Sequence, residues 1–330
     1  MIFPFLRGLL PCRSCWVTWV LVFMNLLVFL HFQGDDDVRE VLSKSLRDDT
    51  FIIAQGQFFA QYIGDHNIRY SPTMLEMARR GLAGDESTLM VLGGLALRHT
   101  EFVNEVASYP FKGDQVKVTW WRAKLAQLLD AQERMPSYNF GLRSGQLDGL
   151  RWISYQFIHG SFVHLAVNMI FLMIFGAMLE PIIGALGLLV LYLGAGTLAA
   201  GVFILLSGAS SIPLIGASGS VSGLMSLFCF MFWNRPVRYV YMLFVPVKGY
   251  VGFIYLPAWI TLVTWFLSDL AGYLGTLDEM GGIAYTAHLG GQAAGVVVGA
   301  TVFVVRYFKN EKLLPLDKIP PTKPIGTRVI

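Results

Sequence analysis

The apolar and polar positions divide the chain into four stretches, which are roughly 1–33, 34–149, 150–307 and 308–330. The first contains an apolar run from Trp16 to Phe32, about 17 residues and at the short end of what crosses a bilayer as a helix. The second alternates charged and apolar residues. The third is almost continuously apolar, and its Gly, Pro, Asn and Arg punctuation predicts five further spans. These run roughly 161–180, 185–206, 217–233, 250–271 and 285–306. The joins fall at Glu180-Pro181, Ser207-Gly208, Asn234-Arg235-Pro236, Lys248-Gly249 and Gly281-Gly282, and Leu243–Val247 reads as a short interfacial turn. The fold expected is an all-α membrane protein of six transmembrane helices, with a helical insert between the first two.

Within 34–149 the pattern is of short amphipathic helices. Ser71-Pro72 is a start signal, an N-cap followed by proline at the first helical position. Asp85 and Glu86 precede Leu89, Met90, Leu92 and Leu95 and suit the positive end of another helix. Trp120, Trp121, Leu125 and Leu128-Leu129 make a further amphipathic segment, which fits a bilayer surface and a packed soluble unit equally well.

Charge orients the spans. Arg7 and Arg13 precede the first, Arg235, Arg238 and Lys248 lie between the fourth and fifth, and the tail carries Arg306, Lys309, Lys312, Lys318, Lys323 and Arg328. The segments near 207–216 and 272–284 have no lysine or arginine. One topology satisfies all of these, with both termini cytoplasmic and 34–149 extracytoplasmic. Composition agrees: 55% of residues are hydrophobic and only 14% charged, against about a quarter charged in soluble domains. The net charge of +3 is too small to argue for nucleic acid. Three cysteines, Cys12, Cys15 and Cys229, make no disulfide framework, and the lone Cys12-x-x-Cys15 has no second pair for zinc. The first apolar run ends in bulky residues, Val28-Phe29-Leu30-His31-Phe32, where a cleaved signal would carry small ones. The short N-terminus without transit-peptide composition favours a bacterial inner membrane.

Three places interrupt the apolar pattern with groups that can do chemistry, and ionisable groups inside spans default to a functional reading. Gly216-Ala217-Ser218-Gly219 opens a span. Small neighbours let a second helix approach and leave N–H groups near the hydroxyl to meet an oxyanion, although helix packing alone also explains such a pattern. His288 is followed by Gly291, Gly295 and Gly299, one small residue every fourth position along one face. It could be a helix–helix hydrogen bond or a base beside the serine. His164 and Asn168, four apart, share a face and could hold a developing negative oxygen, with His159 just before them. A metal on these residues has no carboxylate or cysteine at ligand spacing to support it. In the topology above, all three places lie near the outward ends of spans.

In this order the motifs resemble the rhomboid family of intramembrane serine proteases over about 150–306. They are His159-x4-His164-x3-Asn168, Glu180 closing the same span, Gly216-Ala217-Ser218-Gly219, and Ala287-His288-x2-Gly291-x3-Gly295. The resemblance implies a serine endopeptidase with a Ser–His dyad and no acidic third member. Ser218 is then the nucleophile and His288 the base, with His164, Asn168 and the Ser218 N–H forming the oxyanion hole beside Gly216. His159, Glu180, Gly219, Gly291 and Gly295 are supporting residues. It implies no cofactor or metal, a lid over about 272–284, and single-span membrane proteins as substrates. Leu150-Arg151-Trp152 partly matches the family's Trp-Arg loop, and interfacial anchoring explains it as well. Ser222 stands where many members place an aromatic ring against the base, so other contacts must hold His288.

Two other classes compete with the protease. A catalytically inactive rhomboid-like binding protein would lack the serine or the histidine, and both are present. A transporter with a histidine relay would carry acidic residues through several spans, and beyond Glu180 and Asp269 there are almost none.

Overall fold

The computed structural model describes residues 2–4, 15–32, 44–45, 47–67, 70–97, 99–143, 148–206, 213–242, 251–275 and 283–308. It is mostly helical. Helix α1 spans Trp16–His31, and its first turn is fixed from a distance. Both Glu180 carboxylate oxygens accept backbone N–H groups there, from Val17 and from Thr18, at 2.8 Å each, and the Thr18 hydroxyl donates at 2.7 Å. These are amide groups that a helix start leaves without intrahelical partners, and a carboxylate suits the positive end of the helix dipole. Glu180 thus bonds backbone at a helix end.

The second stretch folds into short helices around an aromatic core of its own. They are α2 (Asp49–Asp65), α3 (Pro72–Leu82), α4 (Glu86–Ala96), α5 (Thr100–Glu105), α6 (Gln115–Arg134) and α7 (Pro136–Phe140). The start signals work as expected: the Ser71 oxygen accepts from the Met74 N–H at 3.3 Å, and Asp85 from the Thr88 N–H at 3.2 Å. Phe51, Phe59, Tyr62, Phe102 and Trp121 are buried together, with the Phe58 and Trp121 rings 4.5 Å apart. Of the two readings for the tryptophan segment, packing inside a helical unit is the one observed for Trp121.

A short helix α8 (Arg151–Ser154) and the turn Tyr155–Phe157 lead into α9 (Phe162–Leu206), then α10 (Ser218–Met231), α11 (Ala258–Gly275) and α12 (Ile283–Phe308). A core of Leu172, Phe175, Tyr192, Leu224 and Phe228, with Val17 and Leu21 from α1, joins α1, α9 and α10. Among the described residues, α9 and Tyr285–Val305 of α12 are long and apolar enough to cross a membrane, while α1 and α10 are shorter apolar helices. Outward faces carry exposed apolar side chains such as Phe23, Leu186, Val190, Leu205 and Val297.

Two expectations are corrected. The break placed at Glu180-Pro181 occurs instead at Gly184, where φ is +79° and ψ 164°, a conformation only glycine adopts without strain. Pro181 removes one helical hydrogen bond but does not turn the chain. The all-α expectation also fails locally. Pro236–Met242 (β2) pairs antiparallel with Val251–Pro257 (β3), and Ile2–Pro4 (β1) lies on the other side of β2. The register sets Tyr239 opposite Ile254 and Phe3 opposite Val240. Helix α11 therefore begins at Ala258 and not near 250. The β-branched and aromatic residues of these runs favour a strand, and Pro257 marks the boundary. Leu243–Val247 lie outside the described residues, as do most of 272–284 and the tail beyond 308.

Candidate active site

Ser218 is the first residue of α10 and is half-buried, whereas Gly219 to Leu224 behind it are buried. The turn before it is held residue by residue. Leu214 exchanges backbone hydrogen bonds with Leu142 (3.1 and 2.7 Å), and the Gly216 N–H donates to the Tyr155 carbonyl at 2.9 Å. The Ala217 N–H donates to His159 Nε2 at 3.4 Å. Gly216 has φ +110°, so this tight turn needs a glycine. One turn into the helix, the Ser220 hydroxyl donates to Gln156 Oε1 at 2.9 Å. The nucleophile candidate thus sits on a pinned turn, and the N–H groups of the first helical turn around it have no partners four residues earlier.

Helix α12 meets α10 backbone to backbone. A methyl group on Gly291 would overlap the Gly219 carbonyl, 2.8 Å from its carbon, and one on Gly295 would come within 2.8 Å of the Leu227 nitrogen. The second half of α9 closes the trio, because a methyl on Gly219 would lie 2.6 Å from the Ala199 side chain. That added methyl would also lie 3.5 Å from the Ala287 carbonyl oxygen. Ser218 and His288 are the chain neighbours of Gly219 and Ala287, so each adjoins one side of this last contact. Close packing of small residues, read from the four-residue spacing, has this geometric result.

His164 and Asn168 enter from the first turns of α9. A Cβ at Gly216 would lie 2.8 Å from His164 Cε1 and Nε2 and 3.9 Å from Asn168 Nδ2, so both side chains lie against the turn carrying the serine. The Ser161 hydroxyl oxygen caps the His164 N–H at 3.1 Å, and Asn168 Nδ2 donates to the His164 carbonyl at 2.9 Å. That leaves Asn168 a second amide hydrogen. The His159 and His164 rings meet edge to face, 5.1 Å between centroids. Arg151 lies at the rim and donates from Nη1 to the carbonyls of Tyr138 (2.6 Å) and Gly141 (3.1 Å). It anchors the end of the second stretch.

One contact was not anticipated. His288 Nδ1 lies 3.0 Å from Asp269 Oδ1, and Gln292 Nε2 donates to Asp269 Oδ2 at 2.6 Å. Asp269 comes from α11 and is only 4% exposed. The resemblance implied no acidic neighbour for the base, and the structure places one in hydrogen-bond contact. Among the described residues no aromatic ring stacks on His288, and Ser222 is buried within α10. The contact that holds the imidazole comes from the opposite side. A lone acid in an apolar run was the available signal, and Gln292, four residues after His288, shares its face.

Residues 146–305 match the family model described as Rhomboid domain. This chain carries a rhomboid domain. His159, His164, Asn168, Ser218, Asp269 and His288 all fall within it, whereas α2 to α7 lie outside. Over 153 residues the chain is 33% identical to "Rhomboid protein 1, mitochondrial" of Saccharomyces cerevisiae, a match covering 44% of this chain and 40% of that protein. The rhomboid domain and its apolar helices make the chain an integral membrane protein.

Proposed function

We propose that the protein is an intramembrane serine protease that hydrolyses peptide bonds in or near the membrane-spanning segments of single-span proteins. The observation that carries this reading is the Gly219–Gly291 approach of the two helices that bear half-buried Ser218 and His288. The Ser218 oxygen attacks the scissile carbonyl carbon while its proton passes to His288 Nε2. The carbonyl electron pair moves to the oxygen, which is held by the Ser218 N–H, His164 and Asn168. Collapse of this intermediate expels the amine, protonated by His288, and leaves an acyl group on Ser218. A water molecule, deprotonated by His288, then releases the acid. Gly219, Gly291 and Gly295 set the helix spacing, and Gly216 and His159 set the turn.

The architecture that goes with this function has six spans. The 45 residues of α9 are kinked at Gly184 and supply two. Helices α1, α10, α11 and α12 supply the others, with 34–149 as an extracytoplasmic insert, 150–307 as the protease core and 308–330 as a cytoplasmic tail. A bacterial inner membrane gains no support from a relative whose name is mitochondrial.

The test is purified protein in liposomes with a membrane-spanning reporter, together with labelling by a fluorophosphonate. Wild type is expected to cleave and to be labelled, and Ser218→Ala and His288→Ala to lose a thousandfold or more, on the order of dyad losses in other serine hydrolases. Cleavage by Ser218→Ala at the wild-type rate ends this reading, and binding of the reporter without cleavage by wild type favours an inactive binding protein.

A further inference from the structure

We infer that Asp269 is a positioning residue for the base, so that the site works as a Ser218–His288–Asp269 triad and not as a dyad. The inference rests on the protease reading above and adds a third member to it.

The argument starts from the donor and acceptor inventory. An ionised carboxylate can only accept hydrogen bonds, so the 3.0 Å contact places the imidazole proton on Nδ1. That tautomer leaves Nε2 with a lone pair, which is the form a general base must have. The carboxylate is itself aimed, because Gln292 Nε2 donates to its second oxygen at 2.6 Å. Gln292 is buried, 2% exposed, and lies one turn beyond His288 on the same helix. The ring, the carboxylate and the amide therefore form a chain with few free rotations.

Charge gives the second line. Asp269 is buried in an apolar helix, and among the described residues no lysine or arginine pairs with it. A buried carboxylate without a cation is costly. The cost falls when His288 takes the serine proton and becomes an imidazolium. The protein then holds a buried pair of opposite charges at the moment the oxyanion forms, and the stabilisation is greater in the transition state than in the resting state. The serine proton rests on Nε2 until the amine leaves. Where Ser222 cannot offer a ring to stack on the base, this hydrogen bond takes over the task of orienting it.

The experiment compares Asp269→Asn with wild type in liposomes, measuring kcat, KM and thermal unfolding. Asparagine keeps the shape and removes the charge. We expect kcat to fall by about 10²–10⁴, the scale of charge deletion in a soluble triad, with KM and unfolding temperature little changed. Wild-type kcat in Asp269→Asn overturns the inference. So does a loss of kcat that tracks unfolding. Should Asp269→Asn not fold, Gln292→Ala carries the test: one lost hydrogen bond to a charged group predicts a kcat about tenfold lower, and an unchanged kcat overturns the proposal. Failure of the underlying protease reading registers separately, as cleavage by Ser218→Ala.

Discussion

Replacing Gly291 by alanine adds one methyl group at the point where α12 touches α10. In the structure that methyl would lie 2.8 Å from the Gly219 carbonyl carbon and 3.2 Å from its Cα, whereas unstrained carbon contacts begin at about 3.5 Å. The obstructing atoms are backbone, so no rotamer relieves the clash, and the helices must part by about 1 Å. Overpacking of this kind costs roughly 1–3 kcal/mol in stability. Its kinetic effect is expected to be larger, because a 1 Å misplacement of reacting groups costs about 10²-fold in rate. The assay is reporter cleavage and fluorophosphonate labelling in liposomes, beside thermal unfolding. Gly194→Ala is the control: it lies in the same bundle, on an exposed face of α9, and a methyl there meets nothing within 4 Å. It should leave kcat unchanged and add up to about 1 kcal/mol through helix propensity. Wild-type kcat in Gly291→Ala would refute the claim that this approach sets the alignment of Ser218 with His288.

Further outcomes follow from other contacts. Glu180→Gln removes one of the two acceptor oxygens that hold the start of α1. It should cost on the order of 1.5–3 kcal/mol, read as earlier thermal unfolding, and a Gln variant as stable as wild type would contradict the anchoring role. Asn168→Ala should lower kcat by roughly 10²–10³ with KM little changed, as loss of one oxyanion donor does; a rise in KM alone would assign the residue to substrate binding. In the insert, burial pushes the pKa of His99 down, although Glu101 and Glu105 partly oppose it. Its Nδ1 caps the Phe102 N–H at 3.3 Å, so the neutral ring is the folded form. The stability it contributes is present above the ordinary histidine value of 6.5 and is lost as pH falls through the lowered one. Amide exchange over 99–105 should therefore quicken on acidification, and His99→Asn, which keeps a capping oxygen, should flatten that response.

The residues that make the helix trio were legible because the α-helical period turns a four-residue spacing into one face, and glycine on such a face has few other uses. The same rule paired His164 with Asn168, and the Ser71-Pro72 and Asp85 starts followed from local backbone needs. The β2–β3 hairpin was not legible: an apolar run with β-branched and aromatic residues satisfies a buried strand and a membrane helix equally. In the sequence Pro181 is the stronger helix breaker, although only Gly184 can adopt the conformation found at the kink. The Asp269–His288 contact joins two helices across a connection whose geometry no spacing encodes, and the acid entered the sequence reading only as a count against a transport pathway.

The seam between α10 and α12 has one more property, a mechanical one. Because Gly291 and Gly295 each sit in a notch of the opposing main chain, the two rods cannot slide past each other gradually. The smallest axial slip that restores contact is a full four-residue step, about 6 Å. A thinner or thicker bilayer would therefore tip the pair as a unit and not shear it, and serine and histidine would keep their register until the seam itself came apart.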